Sequence, residues 1–292
     1  MLPAPHRDAL ARVPVVARVG DVAGTETHWW EYGPEPIDAK ATIVAVHGYR
    51  GDHHGLEAVI AQLPEFRFLS PDLPAFGDSG PLPARHTMDA YADWLVAFLA
   101  RIDGPATVLG HSFGSIVTAA ALDRGLAPDR VVLMNPIAAP ALRGPQAVGT
   151  LAALMWYRLA GALPERAGRR TLSARVMVDG MSVMMTRTRE PELRRWIKEE
   201  HRRYFNGFRS KRSVVEGFDA SIRDHVAAHA DAFTMPTLLI AAEQDQITPI
   251  TAVRRLHAAI PTSELVVLHD VGHLIHYERP RETAEAIRGF HP

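Results

Sequence analysis

The sequence predicts an α/β fold with a mostly parallel, doubly wound sheet and an inserted set of helices. Short β-rich runs alternate with amphipathic helical segments in the first half of the chain and again in its last 60 residues. Between them, 141–232 shows helical patterns and no strand pattern. With 292 residues, of which 47% are hydrophobic, the chain can bury a sizeable core. We therefore predict a core formed by 1–140 and 233–292, covered by a helical lid at 141–232.

The first half is predicted to hold six strands. Two of them, 12–19 and 26–33, flank a turn and precede the alternating part. The segment 40–51 is rich in consecutive β-branched residues, as in a sheet buried on both faces. The other predicted strands are the short apolar runs 66–72, 105–112 and 130–136.

Helices are predicted in the intervals between the later strands. The clearest is 87–102, which is amphipathic and begins after Thr87, a good N-cap residue. After the interruption, strands are predicted at 235–245 and 263–273. The remaining predicted helices are 54–63, 113–125, 251–260 and 280–290.

The predicted lid differs in charge from the rest of the chain. It contains 17 cationic and 10 anionic residues, whereas the remainder contains 15 and 23. Arginine-rich helices usually present a solvated face that pairs with acidic neighbours. We prefer this interpretation to a site for an anionic substrate.

Composition excludes several classes of protein. The net charge of −1 gives no reason to expect a nucleic-acid partner, and the absence of cysteine excludes disulfides and thiolate chemistry. The N-terminus lacks the apolar run of a signal peptide. The longest apolar stretch, 147–163, carries Arg158 and is shorter than the roughly 20 residues that span a bilayer. We expect a cytoplasmic protein without a membrane span, and the oligomeric state is not indicated.

The segment GHSFG (110–114) lies between a predicted strand and a predicted helix. A serine in such a turn is held at the helix N-terminus, where backbone N–H groups can receive negative charge. Glycines on either side let the strand and the helix approach each other. Ser112 is therefore the candidate nucleophile.

A serine nucleophile needs a base, and the base needs a carboxylate that orients it. In a parallel sheet, groups just beyond the carboxyl ends of strands converge. His273 follows the last predicted strand and Asp245 follows the one before it. His276 lies near the start of the last helix and is predicted to line the site or pack beside it. His269 falls inside the strand pattern and is predicted to be structural, and Glu243 and Asp270 are the less well placed alternatives for the acid.

These motifs together resemble the α/β-hydrolase superfamily, and the resemblance covers nearly the whole chain. The matching segments are AVHGYRG, SPDLPAFGDSG, GHSFGS, AEQDQITP and DVGHLIHYERP. The order Ser112, Asp245, His273 is also that of the family. The resemblance implies an oxyanion hole made by the backbone N–H groups of Tyr49 and Phe113, with His47 bracing the loop.

The predicted reaction is hydrolysis of a small to medium carboxylic ester through an acyl-enzyme, on a small-molecule substrate and without a cofactor. Carbon–carbon bond hydrolysis of a dienoic keto acid is an alternative, although Leu274 and His111 stand where those enzymes usually have Trp and Asn. Thioester, lactone or amide hydrolysis is another. A non-enzymatic ligand receptor of the same fold is the alternative from a different class.

Three further expectations concern the surroundings of Ser112. Asp52, His53 and His54 lie close to His47 in sequence, but ligands at matched spacing are missing, so no metal site is expected. Arg50 and His53 are expected at the mouth of the site.

Apolar lid residues are expected to line the pocket because methionines suit flexible acyl chains. These candidates are Trp156, Met177, Met181, Met184 and Met185, joined by His276.

Overall fold

A computed structural model of the protein describes residues 5–143 and 147–291. Its centre is one eight-stranded sheet. The strands are β1 (Val15–Val22), β2 (Thr25–Tyr32), β3 (Thr42–Val46), β4 (Arg67–Pro71), β5 (Ala106–His111), β6 (Arg130–Met134), β7 (Thr237–Ala242) and β8 (Ser263–Leu268). β3, β5 and β7 are fully or almost fully buried, as expected of a sheet covered on both faces.

The strand order is β1-β2-β4-β3-β5-β6-β7-β8. The pairs β1–β2 and β2–β4 are antiparallel, and every later pair is parallel. The carboxyl ends of β5, β6, β7 and β8 therefore meet at one edge of the sheet. The predicted fold class, a mostly parallel sheet with flanking helices, is confirmed.

Helices cover both faces of the sheet, and two apolar clusters fill the space between. The α-helices are α1 (Arg7–Leu10), α2 (Glu57–Ile60), α3 (Met88–Leu99), α4 (Phe113–Asp123), α5 (Ala147–Ala162), α6 (Glu165–Leu172), α7 (Arg175–Met185), α8 (Pro191–Tyr204), α9 (Lys211–Arg223), α10 (Ile250–Ala259), α11 (Ile275–Glu278) and α12 (Pro280–Phe290). Two short 3₁₀ helices are His53–Leu56 and Val226–Ala232. Thr87 caps α3, since its hydroxyl accepts a hydrogen bond from the backbone N–H of Ala90.

We call 147–232 the helical insertion: it comprises α5 to α9 and the second 3₁₀ helix, and it connects β6 to β7. Its helices pack on one another, and α9 also packs on α3 of the core. The predicted division into core and lid includes 1–4, 144–146 and 292, which lie outside the described residues.

Two predicted strands end five residues earlier than expected. β3 ends at Val46 because the chain turns beyond it, and Arg50 adopts a left-handed conformation with φ of 61°. β8 ends at Leu268, and His269 follows it in an exposed turn 3.3 Å from Glu243. The expectation that His269 is a structural residue within the strand is therefore wrong. Among the described residues, no helix is long and apolar enough to cross a membrane.

Candidate active site

Ser112 occupies a strained turn between β5 and α4. Its φ of 52° and ψ of −114° lie outside the regions that a serine normally adopts. A Cβ atom on Gly110 would lie 2.6 Å from the carbonyl oxygen of Gly114, and one on Gly114 would lie 2.3 Å from that of Val46. Only glycine fits at either position. The two glycines therefore allow β5 and α4 to pack closely on either side of Ser112.

Three residues that the sequence singled out meet at this turn. The Nε2 atom of His273 lies 2.8 Å from the Ser112 Oγ atom. The Nδ1 atom of the same ring lies 2.8 Å from Asp245 Oδ2. The backbone N–H groups of Ile247 and Thr248 donate to the other oxygen of Asp245, which fixes the carboxylate. The arrangement allows the hydroxyl to donate to His273 while His273 donates to Asp245.

Asn135 is a further polar residue of the site, and the sequence did not single it out. It follows β6 with a φ of 43° and is almost completely buried. Its Nδ2 group donates to the backbone carbonyl of His273 at 2.7 Å, and its Oδ1 atom accepts from the N–H of Ala242 at 2.9 Å. Asn135 thus ties the end of β7 to the loop that carries His273. A polar residue before a proline at a strand end, as in MNP, is the only signal for it in the sequence.

The loop after β3 passes beside the serine. A Cβ atom on Gly48 would lie 3.4 Å from the Ser112 Cβ atom, so Tyr49 follows directly beside Ser112. The Nδ1 atom of His47 lies 2.8 Å from the carbonyl oxygen of Gly48, and its Nε2 atom accepts from the N–H of Leu73 at 2.8 Å. His47 therefore holds this loop against the segment after β4.

Residues 49 and 50 also bind the helical insertion. The Tyr49 hydroxyl donates to the carbonyl of Val214 at 2.5 Å. The guanidinium of Arg50 is buried and donates to the insertion at four places: Phe205 O, Leu172 O, Asn206 Oδ1 and Tyr157 Oη. The expectation that Arg50 lines the mouth of the site is wrong, because these bonds draw its side chain behind the cavity wall. His53 is also buried, with its ring stacked on Trp30 and bonded to Asp72.

A cavity of about 740 Å³ lies between the core and the helical insertion. Ser112 and His273 open into it, together with Tyr49 and Phe113. All six residues that were predicted to bind substrate lie on its wall: Trp156, Met177, Met181, Met184, Met185 and His276. Most of the remaining wall is aliphatic or aromatic, so the cavity suits a largely apolar group.

Several histidines beside the catalytic candidates are uncharged at neutral pH. Burial, helped by the nearby His273, lowers the pKa of His111 to about 3. Burial also holds the pKa of His276 well below its usual value, with His111, His273 and His201 adding to the effect. The rings of His111 and His276 lie 4.2 Å apart between centroids. The immediate surroundings of Ser112 therefore carry little positive charge.

One group of side chains has the composition of a metal site. Asp52, His53 and His54 each place one ligand atom within 4.8 Å of the others. One nitrogen of His53 is already bonded to Asp72, and Asp52 accepts from the backbone N–H of His54. The expected absence of a metal stays a prediction.

Comparisons with known proteins address the family and the fold. A model of the alpha/beta hydrolase family matches residues 43–286. The chain is 26% identical over 258 residues to the pimeloyl-[acyl-carrier protein] methyl ester esterase of Neisseria meningitidis serogroup A, covering 87% of this chain and 77% of that protein.

A shorter match links the chain to the uncharacterized hydrolase YugF of Bacillus subtilis. It is 46% identical over 55 residues, which span 19% of this chain and 20% of YugF. Among solved structures, the thermophilic esterase from Thermogutta terrifontis aligns with a TM-score of 0.73 at 23% identity. That alignment covers 95% of this chain and 97% of the esterase, and it shows the shared fold.

Proposed function

The chain belongs to the alpha/beta hydrolase family, and on that premise we propose that it is a serine hydrolase of small to medium carboxylic esters. The observation that carries the proposal is the chain of two 2.8 Å contacts from Ser112 through His273 to Asp245. Such a relay activates a serine hydroxyl, which is unreactive alone. We also assign the helical insertion the role of the lid.

In the proposed reaction, the Ser112 oxygen attacks the ester carbonyl carbon and its proton passes to the Nε2 atom of His273. Asp245 orients the ring and stabilises its positive charge. The carbonyl oxygen becomes an oxyanion, which the backbone N–H groups of Tyr49 and Phe113 stabilise. Each such donor is commonly worth about 10²- to 10³-fold in kcat.

The tetrahedral intermediate collapses when the bond from the carbonyl carbon to the alcohol oxygen breaks. His273 returns its proton to that oxygen, and the alcohol leaves. The acyl group is now an ester of Ser112. Water, deprotonated by His273, attacks this ester, and the free acid departs while the proton returns to Ser112.

The cavity supports esters over the carbon–carbon alternative. No lysine or arginine of the described residues lines it, although a dienoic keto acid would bring a carboxylate. Thioester, lactone and amide substrates would use the same groups. The pimeloyl methyl ester esterase relative is consistent with an oxygen ester.

The decisive experiment is a series of p-nitrophenyl esters of graded acyl length, combined with labelling by a fluorophosphonate probe. We expect hydrolysis, and labelling of Ser112 alone. Ser112→Ala removes both, whereas Ser221→Ala, a change to another serine of the cavity wall, retains both. Equal labelling of the Ser112→Ala protein would contradict the proposal.

A further inference from the structure

Most of the large apolar side chains that are exposed in the described part of the chain belong to α5 and α7 of the helical insertion. Six of them are between 50% and 77% exposed, and we call these six the apolar rim: Val148, Leu151, Met155 and Leu159 of α5, with Val176 and Val183 of α7. On α5 they recur at spacings of three and four positions, and on α7 at a spacing of seven. Each helix therefore presents one apolar stripe to solvent.

The apolar rim borders the mouth of the cavity. The cavity-lining residues that are themselves exposed come from the same two helices: Gly149 and Ala152 of α5, and Gly180 and Met184 of α7. Each of the four lies beside a rim residue in the sequence or one helical turn from it. The cavity thus opens between α5 and α7, and its apolar wall continues outward into the apolar rim. A continuous exposed apolar surface of this kind marks a site of interaction.

The charges around the apolar rim are mainly positive. The segment 147–187 contains six arginines and two acidic residues. One of the acids, Asp179, is already paired with Arg202 at 2.6 Å and with Lys198 at 3.0 Å, both from α8.

Most of these arginines are not compensated. Five are exposed and form no ion pair with any residue that the structure describes: Arg158, Arg166, Arg170, Arg175 and Arg187. Arg158 and Arg175 directly adjoin the rim residues Leu159 and Val176 in the sequence. The expected pairing of lid arginines with acidic neighbours does not occur for these five. Guanidinium groups match the geometry of phosphate, so this surface suits a phosphate-bearing partner.

A lipid surface fits the apolar rim better than a protein does. In a symmetric dimer the same face of each copy would meet, which would bring the unpaired arginines of one copy against those of the other. Protein interfaces also carry about one hydrogen bond per 100–200 Å², whereas the rim offers only aliphatic and thioether side chains. The apolar layer of a lipid surface requires no directed bonds, and its headgroup phosphates complement arginine.

We infer that the apolar rim rests on an anionic lipid surface, from which the ester substrate enters the cavity. The rim side chains lie at the boundary of headgroups and acyl chains, and the five arginines bind headgroup phosphates. The mouth then faces the lipid, so an amphiphilic ester reaches the cavity without exposing its apolar part to water. Entry of the ester rests on the proposed function, whereas binding of lipid does not.

The first test is sedimentation of the Ser112→Ala protein with vesicles, which measures binding without turnover. One set of vesicles is phosphatidylcholine alone, and the other contains an equal amount of phosphatidylglycerol. We expect binding to the anionic vesicles to be about tenfold stronger or more, and to weaken as salt is added. Leu151→Asp and Val183→Asp should each weaken it by about tenfold or more, because each loses a buried apolar group. Replacing Arg158 and Arg175 together by glutamine should have an effect of similar size.

Matched control variants make the same changes on the core. Ile37→Asp alters an apolar side chain that is 90% exposed, and a double change to glutamine alters Arg254 and Arg255, which are exposed on α10. Both should bind vesicles like the parent, and melting temperatures verify that every variant folds. Equal binding to both kinds of vesicle, or equal losses in rim and control variants, would show the inference to be wrong. So would a dimer, seen by light scattering, that Leu151→Asp dissociates while no vesicle is bound.

The second test follows entry of the ester in the protein with Ser112 intact. It compares p-nitrophenyl decanoate carried in the anionic vesicles with p-nitrophenyl butyrate in solution. Leu151→Asp should lower the ratio of the two rates by about tenfold, in line with its loss of binding. An unchanged ratio would exclude entry from the lipid. If neither ester is hydrolysed, the proposed function fails, and sedimentation still decides whether the apolar rim binds lipid.

Discussion

The amide of Asn135 donates to the backbone carbonyl of His273 at 2.7 Å and to that of Gly272 at 3.3 Å. The base proposed for Ser112 is therefore held at two points: its ring by Asp245, and its backbone by a residue from a different strand. Misplacing a catalytic group by about 1 Å can cost 10²-fold in rate, so this second point of attachment bears directly on turnover.

Asn135→Ala should lower kcat by about 10- to 100-fold with little change in KM, because the His273 loop loses its anchor. The rate of fluorophosphonate labelling of Ser112 should fall in parallel. The N–H of Ala242 loses its acceptor as well, so the free energy of unfolding should decrease by about 1–3 kcal/mol. A folded Asn135→Ala protein with the kcat of the wild type would exclude a positioning role.

Asp245→Asn should reduce kcat by about 10³-fold or more, because an amide can hold the His273 ring with the proton on the wrong nitrogen. The amide oxygen can still accept from Ile247 and Thr248, so we expect the melting temperature to change little. Steady-state kinetics and thermal unfolding measure the two effects.

The matched control for this variant is Asp270→Asn. Asp270 is exposed and has a φ of 53°, a conformation that asparagine tolerates. Activity close to that of the wild type is expected. A large loss there, with turnover retained in Asp245→Asn, would transfer the role of the acid to Asp270.

Replacing Trp156 or Met181 by alanine should shift the preferred acyl chain toward longer esters. Both side chains line the cavity, and their removal makes space for added methylene groups. A change of one methylene in an apolar pocket is commonly worth about 10-fold or more in kcat/KM. Met155→Ala, at the neighbouring position with a 72% exposed side chain, should leave the profile of chain-length preference unchanged. Identical profiles in all four proteins would place the acyl chain elsewhere.

Stability should decline between about pH 6.5 and 9 because of His229. Its Nε2 atom lies 3.0 Å from both oxygens of Asp224, and its Nδ1 atom contacts Asp123. The bonds to Asp224, and then that to Asp123, raise the pKa of His229 to about 9. The folded state thus holds this proton more tightly than the unfolded state, whose histidine has a pKa near 6.5.

The stabilisation is complete below the pKa of the unfolded state and is lost as the pH rises through that of the folded state. Melting temperatures of the wild type and His229→Asn, measured across this range, check it. The difference between the two proteins should be largest at the acid end of the range. A constant difference would show that the charge on His229 does not contribute.

The positions of Ser112, Asp245 and His273 could be predicted because their signals are local. Glycines around Ser112, and polar residues just beyond β7 and β8, follow from the geometry of strands and turns. The fold class followed from the alternation of strands and helices for the same reason.

Other features depend on packing that no short segment encodes. Glu200 and His201 belong to a strongly polar helix, and only the path of the insertion turns them toward the cavity. Arg50 was misplaced because its acceptors lie more than 100 positions later in the chain. The end of β8 was misplaced because the chain turns directly after the last ladder pair at Leu268, where Asp270 has a φ of 53°.

The bonds from Tyr49 and Arg50 to the helical insertion have a consequence for how substrate enters. If the insertion swung away as a rigid body, it would break the bonds to Val214, Leu172 and Asn206 and release the loop beside Ser112. A fully open molecule would thus lack the ordered loop on which the proposed oxyanion stabilisation depends. Substrate access and catalytic competence would then belong to two different conformations of the protein. A water molecule that reached Ser112 in the open conformation would find the loop beside the serine displaced.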